Sequence, residues 1–317
     1  MTPDRKTEYA PLPAGRIRAV AAASAWAAQN TDHVKINSAK IGDYHRQLFS
    51  KCPLVTHLDQ EQHFISPDRE ATASYVLALD SINFGSGYFH RGLEYATVAG
   101  GLKKAFERGE LNSPAQWAKA TPEYFSRLLS VPLHGLAALF ARHLRASGEK
   151  ILSGYQGQVV HLLEQSGYSA AKLAEIVAAW DSFRDVHCYK GREIPFFKRA
   201  QILAADMHLA LGGFKDMDRL TMFADNTVPH VLRCDGILEY DAALAAKIDA
   251  GVLLPSGGAE EVEIRAAAIH AVELIKQEAA RHGPPVTSVN LDHMLWHRGY
   301  EPELYKRPKH RTLTTDY

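Results

Sequence analysis

The strongest constraint in this 317-residue sequence is a long apolar stripe. Val262, Ala266, Ile269, Val272, Ile275 and Ala279 recur at three- and four-residue steps, so they share one face of a helix and demand a packing partner. Gly283-Pro284-Pro285 then supplies the glycine-before-proline ending expected of such a helix. Leu173, Ile176, Val177, Trp180 and Phe183 repeat the pattern, and segments 94–107, 114–129, 135–147 and 199–211 also read as helices. Strand signals are confined to 34–36, 82–89 and 186–197, the last broken by Lys190-Gly191. The sequence carries no internal repeat, low-complexity tract or long linker. The expected architecture is therefore mainly α with a few short strands, a single unit over residues 1–317 in one or two lobes, with residues 1–50 packing on the body.

Charge narrows the function. Lys and Arg number 36 and Asp and Glu number 36, so the formal charge is zero. Proteins that grip long polyanions carry a basic excess, so no direct polynucleotide binding is expected. Cys52, Cys188 and Cys234 form neither a disulfide framework nor a CxxC pair, which suits a reducing, cytoplasmic setting. Residues 17–28 are Ala-rich and follow Asp4, Glu8, Pro11 and Pro13, a poor signal peptide and a good surface-packed helix. No run approaches the ~18 apolar residues of a membrane span.

Several clusters could carry chemistry. Among sixteen histidines, His293 and His297 lie four apart on one helical face beside Asp292, a spacing that can share a metal. There is no HExxH, no His-Asp dipeptide and no second ligand pair, so no metal is expected. Asp216-Met217-Asp218 imitates a phosphatase nucleophile but follows a turn, which favours acids collected at a helix N-terminus. In residues 220–229 (LTMFADNTVP) an apolar helical turn runs into Asp225 and is then interrupted by Val228-Pro229. Asp225 either faces a cavity beside Phe223 or caps the helix that begins at Val228 or Pro229. On the last helix, capped by Thr287 or Ser288 and ended by Gly299, the side chains of Ser288, Asp292 and Trp296 line one side at i, i+4 and i+8. They suit a flat, polar ligand, or Trp296 is core with Asp292 hydrogen-bonded beside it.

These segments, with others, resemble a known family. Leu79-Asp80-Ser81-Ile82-Asn83-Phe84, the 197–206 run (FKRAQILAAD), 220–229, 232–240 (LRCDGILEY), 261–265 (EVEIR), 291–296 (LDHMLW) and His310-Arg311 match, in order, stretches of the queuosine salvage protein family. The resemblance covers about residues 50–317. It implies a helical fold related to helix-hairpin-helix DNA glycosylases. It also implies a hydrolase that releases queuine from queuosine 5′-monophosphate for reinsertion into tRNA, with no cofactor. Carried over by position, the family's catalytic aspartate falls on Asp225 with Phe223 as the neighbouring aromatic. Its substrate contacts fall on His63 (His57 is a weaker match), Ser288, Asp292 and Trp296. Lys198-Arg199 is the candidate phosphate pocket, with a solvated surface as its alternative. The chain departs from the family at 85–89 (GSGYF), where many members have bulkier aromatics, and at His297, where an acid can follow the tryptophan. Two other readings compete: a metal-dependent phosphohydrolase using His293 and His297, and a non-enzymatic helical module that binds RNA or protein.

Overall fold

The structure, a computed structural model, describes residues 15–88, 94–129, 135–283 and 285–317. The described residues contain fifteen α-helices, two short 3₁₀ turns and four strands of three or four residues, so the mainly α expectation holds. The apolar stripe that opens the sequence lies on the Ala259–His282 helix, which is buried from Glu261 to Ile269 on every side. Around it pack the Arg16–Gln29, Ser38–Lys51, Thr227–Cys234 and Ser288–Arg298 helices. A second layer is built on the Lys198–Leu211 helix, which packs against Arg69–Ser81 and Ala170–Ala178. β1 (Val34–Ile36) pairs antiparallel with β4 (Leu238–Tyr240), and β2 (Val186–Tyr189) with β3 (Arg192–Pro195) as a hairpin turning at Lys190-Gly191. No helix among the described residues is long and apolar enough to cross a membrane.

Some sequence expectations change. The stretch 82–88 is irregular, not a strand, and Phe89, which closed that expectation, lies outside the described residues, as do residues 1–14 and Pro284. Segment 114–129 is two helices, Pro114–Trp117 and Pro122–Leu129, because each proline opens a new helix at its first position. Asp216 accepts hydrogen bonds from the Ser169 hydroxyl and the Ala170 amide, so this acid does serve a helix N-terminus, that of Ala170–Ala178.

The 220–226 segment is not a helical turn. It carries no regular structure although Leu220 to Ala224 are buried, so its backbone must find partners elsewhere. Three helices supply them through side chains. Gln201 accepts from the Thr221 amide (2.8 Å), Asp292 accepts from the Phe223 amide (2.8 Å), and Arg265 Nε donates to the Ala224 carbonyl (2.9 Å). Arg265 is fully buried and is itself fixed by Asp185, with Nη1 to Oδ1 at 3.0 Å and Nη2 to Oδ2 at 2.7 Å. Phe196 and Tyr317 stack on the guanidinium. Asp185 also receives the Lys198 amide (3.0 Å), so the same carboxylate sets the start of the Lys198–Leu211 helix.

Removing the guanidinium would strand a buried carboxylate. Arg265→Met is expected to destabilise the protein by about 3–5 kcal/mol, read by urea denaturation, and a double Arg265→Met/Asp185→Leu variant to recover part of that loss.

Candidate active site

A cavity of about 1320 Å³ opens where the two layers meet. Its walls come from the Lys198–Leu211 helix, the 223–227 turn, the Ser288–Arg298 helix, the loop 54–63 and the segment 307–317. That last segment lies tightly in place: a Cβ on Gly87 would fall 1.8 Å from the Thr312 carbonyl oxygen, and the Gly85 amide donates to the Tyr317 carbonyl.

Asp225 sits in the turn between the irregular segment and the Thr227–Cys234 helix. Its Oδ1 accepts from the Thr227 amide (2.8 Å) and the Val228 amide (3.0 Å), which satisfies two orphan donors of the helix N-terminus. Among the described residues no hydrogen bond reaches Oδ2, and the half-buried side chain lines the cavity. The capping and cavity readings of Asp225 thus describe two oxygens of one carboxylate.

Asp292 is buried and lines the same cavity, with one oxygen on the Phe223 amide. Burial, with the charge of Asp225 adding to it, lifts its pKa well above the usual carboxylate range against the pull of Phe223 N–H and Lys198. Phe223 also lines the cavity, its ring tilted at 6.0 Å from that of His293, whose imidazole burial pushes down to about 4. Trp296 is half-buried in the wall, with Tyr95 at 5.5 Å and Tyr300 at 4.8 Å in edge contacts. His63 is buried between the Asp59 carbonyl at Nδ1 and the Tyr95 hydroxyl at Nε2, each at 2.9 Å. A carbonyl can only accept, so Nδ1 carries the proton; burial lowers the pKa, and the bare Nε2 accepts from Tyr95.

Two of the expected residues do not line the cavity. The Ser288 hydroxyl donates to Glu273, one helical turn below the Asp292 level. Arg199 is buried, donates to the carbonyls of Ser81 and Ser182, and stacks on Phe84 and Phe183. Lys198 does line the cavity, but its Nζ is bound by the backbone and side-chain oxygens of Asn83 (3.2 and 3.3 Å). Burial lowers its pKa, while Asp225 and Asp80 oppose that shift. Asn83 reaches on to Asp80, a fully buried carboxyl that burial lifts to about 7. The Leu79–Phe84 stretch is thereby the link between the Arg69–Ser81 helix and Lys198.

The structure adds lining residues that sequence reasoning passed over: Tyr95, Asp206, Arg307, Lys309 and Arg311. Lys309 Nζ donates to Thr227 Oγ1 (3.1 Å), and the charge of Asp225 bears on it. Asp206, four residues beyond the lining Ile202 and eight beyond Lys198 on one helical face, had a sequence signal, and Arg311 belongs to the His310-Arg311 pair that resembles the family. His293 and His297 both reach the cavity, yet the group of three ligand-type side chains found among the described residues is elsewhere, at Asp185, His187 and Asp316. Arg265 already occupies Asp185 there.

The model for the queuosine salvage protein family matches residues 63–317. The chain belongs to that family. Similar proteins named queuosine 5′-phosphate N-glycosylase/hydrolase include one from Sphaerobacter thermophilus, 36% identical over 82% of this chain and 85% of its own length. One from Dictyostelium discoideum is 32% identical over 93% of this chain and 97% of its own length. A third, from Mus musculus, is 32% identical over 78% and 82%. In this family member the matched region contains every wall of the cavity except the part of the loop that precedes His63.

The Asp292–Phe223 bond yields a test of how the turn is held. Asp292→Asn keeps an acceptor for the Phe223 amide and is expected to melt close to the parent protein. Asp292→Leu orphans that buried amide and is expected to cost about 1–3 kcal/mol in a thermal or urea titration.

Proposed function

We propose that this chain hydrolyses the N-glycosidic bond of queuosine 5′-monophosphate, releasing queuine and ribose 5-phosphate. The observation that carries the reading is the divided role of Asp225: two backbone amides hold one oxygen rigidly, and the other is open to an aromatic-walled cavity. Cleavage of an N-ribosidic bond builds positive charge at C1′ and the ring oxygen, and a fixed carboxylate stabilises that charge without reorganising. Water adds at C1′, its proton balancing the base that departs. Queuine is a 7-deazapurine and has no N7 to protonate, so the leaving group needs hydrogen-bond donors at its pyrimidine portion. Asp292, whose burial favours the protonated form, suits that donor role. Trp296 and Phe223 supply faces for the base. Tyr95, held by His63, offers a hydroxyl for a ribose or side-chain hydroxyl. The reading asks for no metal or cofactor.

For the 5′-phosphate, Lys309 and Arg311 are better placed than Lys198-Arg199. Lys198 is surrounded by Asp80, Asp225 and Asp292, and Arg199 is spent on carbonyls. Lys309 stands at Thr227, where the N-terminus of the Thr227–Cys234 helix adds its own favourable field for an anion. We read the chain as one catalytic unit working in the cytoplasm, in keeping with its three free cysteines.

Chelator-treated protein given queuosine 5′-monophosphate is expected to release queuine, followed by chromatography; no release, or dependence on added metal, would sink the hydrolase reading. Asp225→Asn retains a capping oxygen and so the fold, and is expected to lower kcat by about 10²–10³-fold or more. Near-normal turnover would remove Asp225 from the chemistry. Lys309→Met is expected to raise KM for the monophosphate about tenfold or more while leaving cleavage of the nucleoside, where detectable, little changed.

A further inference from the structure

The buried carboxylates Asp185, Asp292 and Asp80 each bond to the protein through at least one oxygen: Asp185 to Arg265, Asp292 to the Phe223 amide and Asp80 to Asn83. Asp206 does not. Its side chain is 5% exposed and lines the cavity, and among the described residues no hydrogen bond or ion pair reaches its carboxylate. A buried carboxylate without a partner is costly, so the unpaired group points to a partner that arrives from outside. Burial lifts its pKa well above the usual range, and Asp80 adds to the rise more than Lys198 relieves it. A cation entering the cavity would reverse that balance and favour the ionised form.

Lys309, Asp225, Asp292 and Asp206 line one cavity. Queuosine 5′-monophosphate carries, in order, a phosphate, C1′, the base, and a secondary ammonium on the substituent at C7. The proposed reading assigns the phosphate to Lys309, C1′ to Asp225 and the base to Asp292, which leaves the unpaired Asp206 for the ammonium. We propose that Asp206 pairs with this ammonium and is a specificity-determining residue, selecting a 7-deazaguanine that carries a cationic side chain over guanine or the unsubstituted base. The inference rests on the substrate reading above, but it concerns binding and not bond cleavage.

The test compares binding of two free bases, queuine and 7-deazaguanine, which share the ring and differ in the cationic substituent. Calorimetry on the parent protein, Asp206→Asn and Asp206→Ser is expected to show the affinity ratio between the two bases shrinking by about tenfold to a hundredfold in both variants. Both variants are expected to melt no lower than the parent, since no protein contact is lost. An unchanged ratio, or equal weakening of both bases, would overturn the proposal and leave Asp206 to folding or to the chemical step. If the parent protein binds queuine with this preference yet cleaves no queuosine 5′-monophosphate, the hydrolase reading fails and the Asp206 pairing stands. If it binds neither base, the pairing fails as well.

Discussion

Everything at the cavity hangs on how an irregular, buried stretch of chain is kept in place. Residues 220–226 make no helix or strand, and the local backbone pairs only some of their groups, such as the Asp225 amide with the Phe223 carbonyl, so other buried amides and carbonyls there need partners from elsewhere. Arg265, Gln201 and Asp292 provide them from three different helices. Arg265 is the centre of this arrangement, since its guanidinium bonds Asp185 and Glu261 while its Nε holds the Ala224 carbonyl, one residue before Asp225. A hydrophobic core of the same shape would fill the volume equally well. It would not aim Asp225, because apolar packing is non-directional and hydrogen bonds are not.

The same ion pair organises the second wall. Asp185 receives the Lys198 amide and its carbonyl accepts from the Phe196 and Phe197 amides, so Phe197 adopts a left-handed conformation (φ 50°) and the helix begins at Lys198. That start fixes the phase of the face carrying Lys198, Ile202 and Asp206. Burial opposes ionisation of Asp185, but Arg265 and His187 outweigh it and hold the carboxyl well below its usual range. Burial likewise opposes the His187 imidazolium, and bonds to Asp185 and Asp316 overcome it, raising it to about 10. The contribution of Asp185 to stability is therefore present above the unfolded carboxyl pKa and fades in acid. That of His187 is full below about pH 6.5 and fades as pH climbs towards 10. Between the unfolded carboxyl pKa and about pH 6.5 both contributions are full.

Much of the scaffold was legible because its helices are amphipathic over three or more turns. The stripe from Val262 to Ala279 and the Thr287–Gly299 caps are where the periodicity and the cap rules put them. The 220–226 stretch misled because Leu220, Phe223 and Ala224 are spaced like a helical face, whereas the tertiary partners override that local pattern. Strand pairing was legible only where a turn marked it, at Lys190-Gly191; β4 pairs with β1 across two hundred residues of sequence and carries no local turn signal. At the site, helical phase brought Asp292 and Trp296 to the cavity but could not tell that Ser288, one turn earlier, meets Glu273 instead. Nor could adjacency tell Lys198 from Arg199, which point to different sides of one helix start. Tyr95, Lys309 and Arg311 come from segments distant in sequence, and only the folded chain brings them into one cavity with Asp225.

A net charge of zero conceals a separation of charge inside the cavity. Arg307, Lys309 and Arg311 line it from one segment, and Asp206 and Asp292 line it from two helices, with the charge of Lys198 acting on both. A protein that holds a duplex backbone spreads cations over its surface, where they meet phosphates in water. Here the acids are buried, where a low dielectric makes each unpaired charge costly and each matched charge selective. In the proposed reading the cavity discriminates by where a ligand's charges lie along its length, since a molecule with an anion at one end and no cation at the other leaves Asp206 unmatched. In that reading this separation of charge matches that of the ligand, whose anionic phosphate and cationic ammonium are held apart on one small molecule.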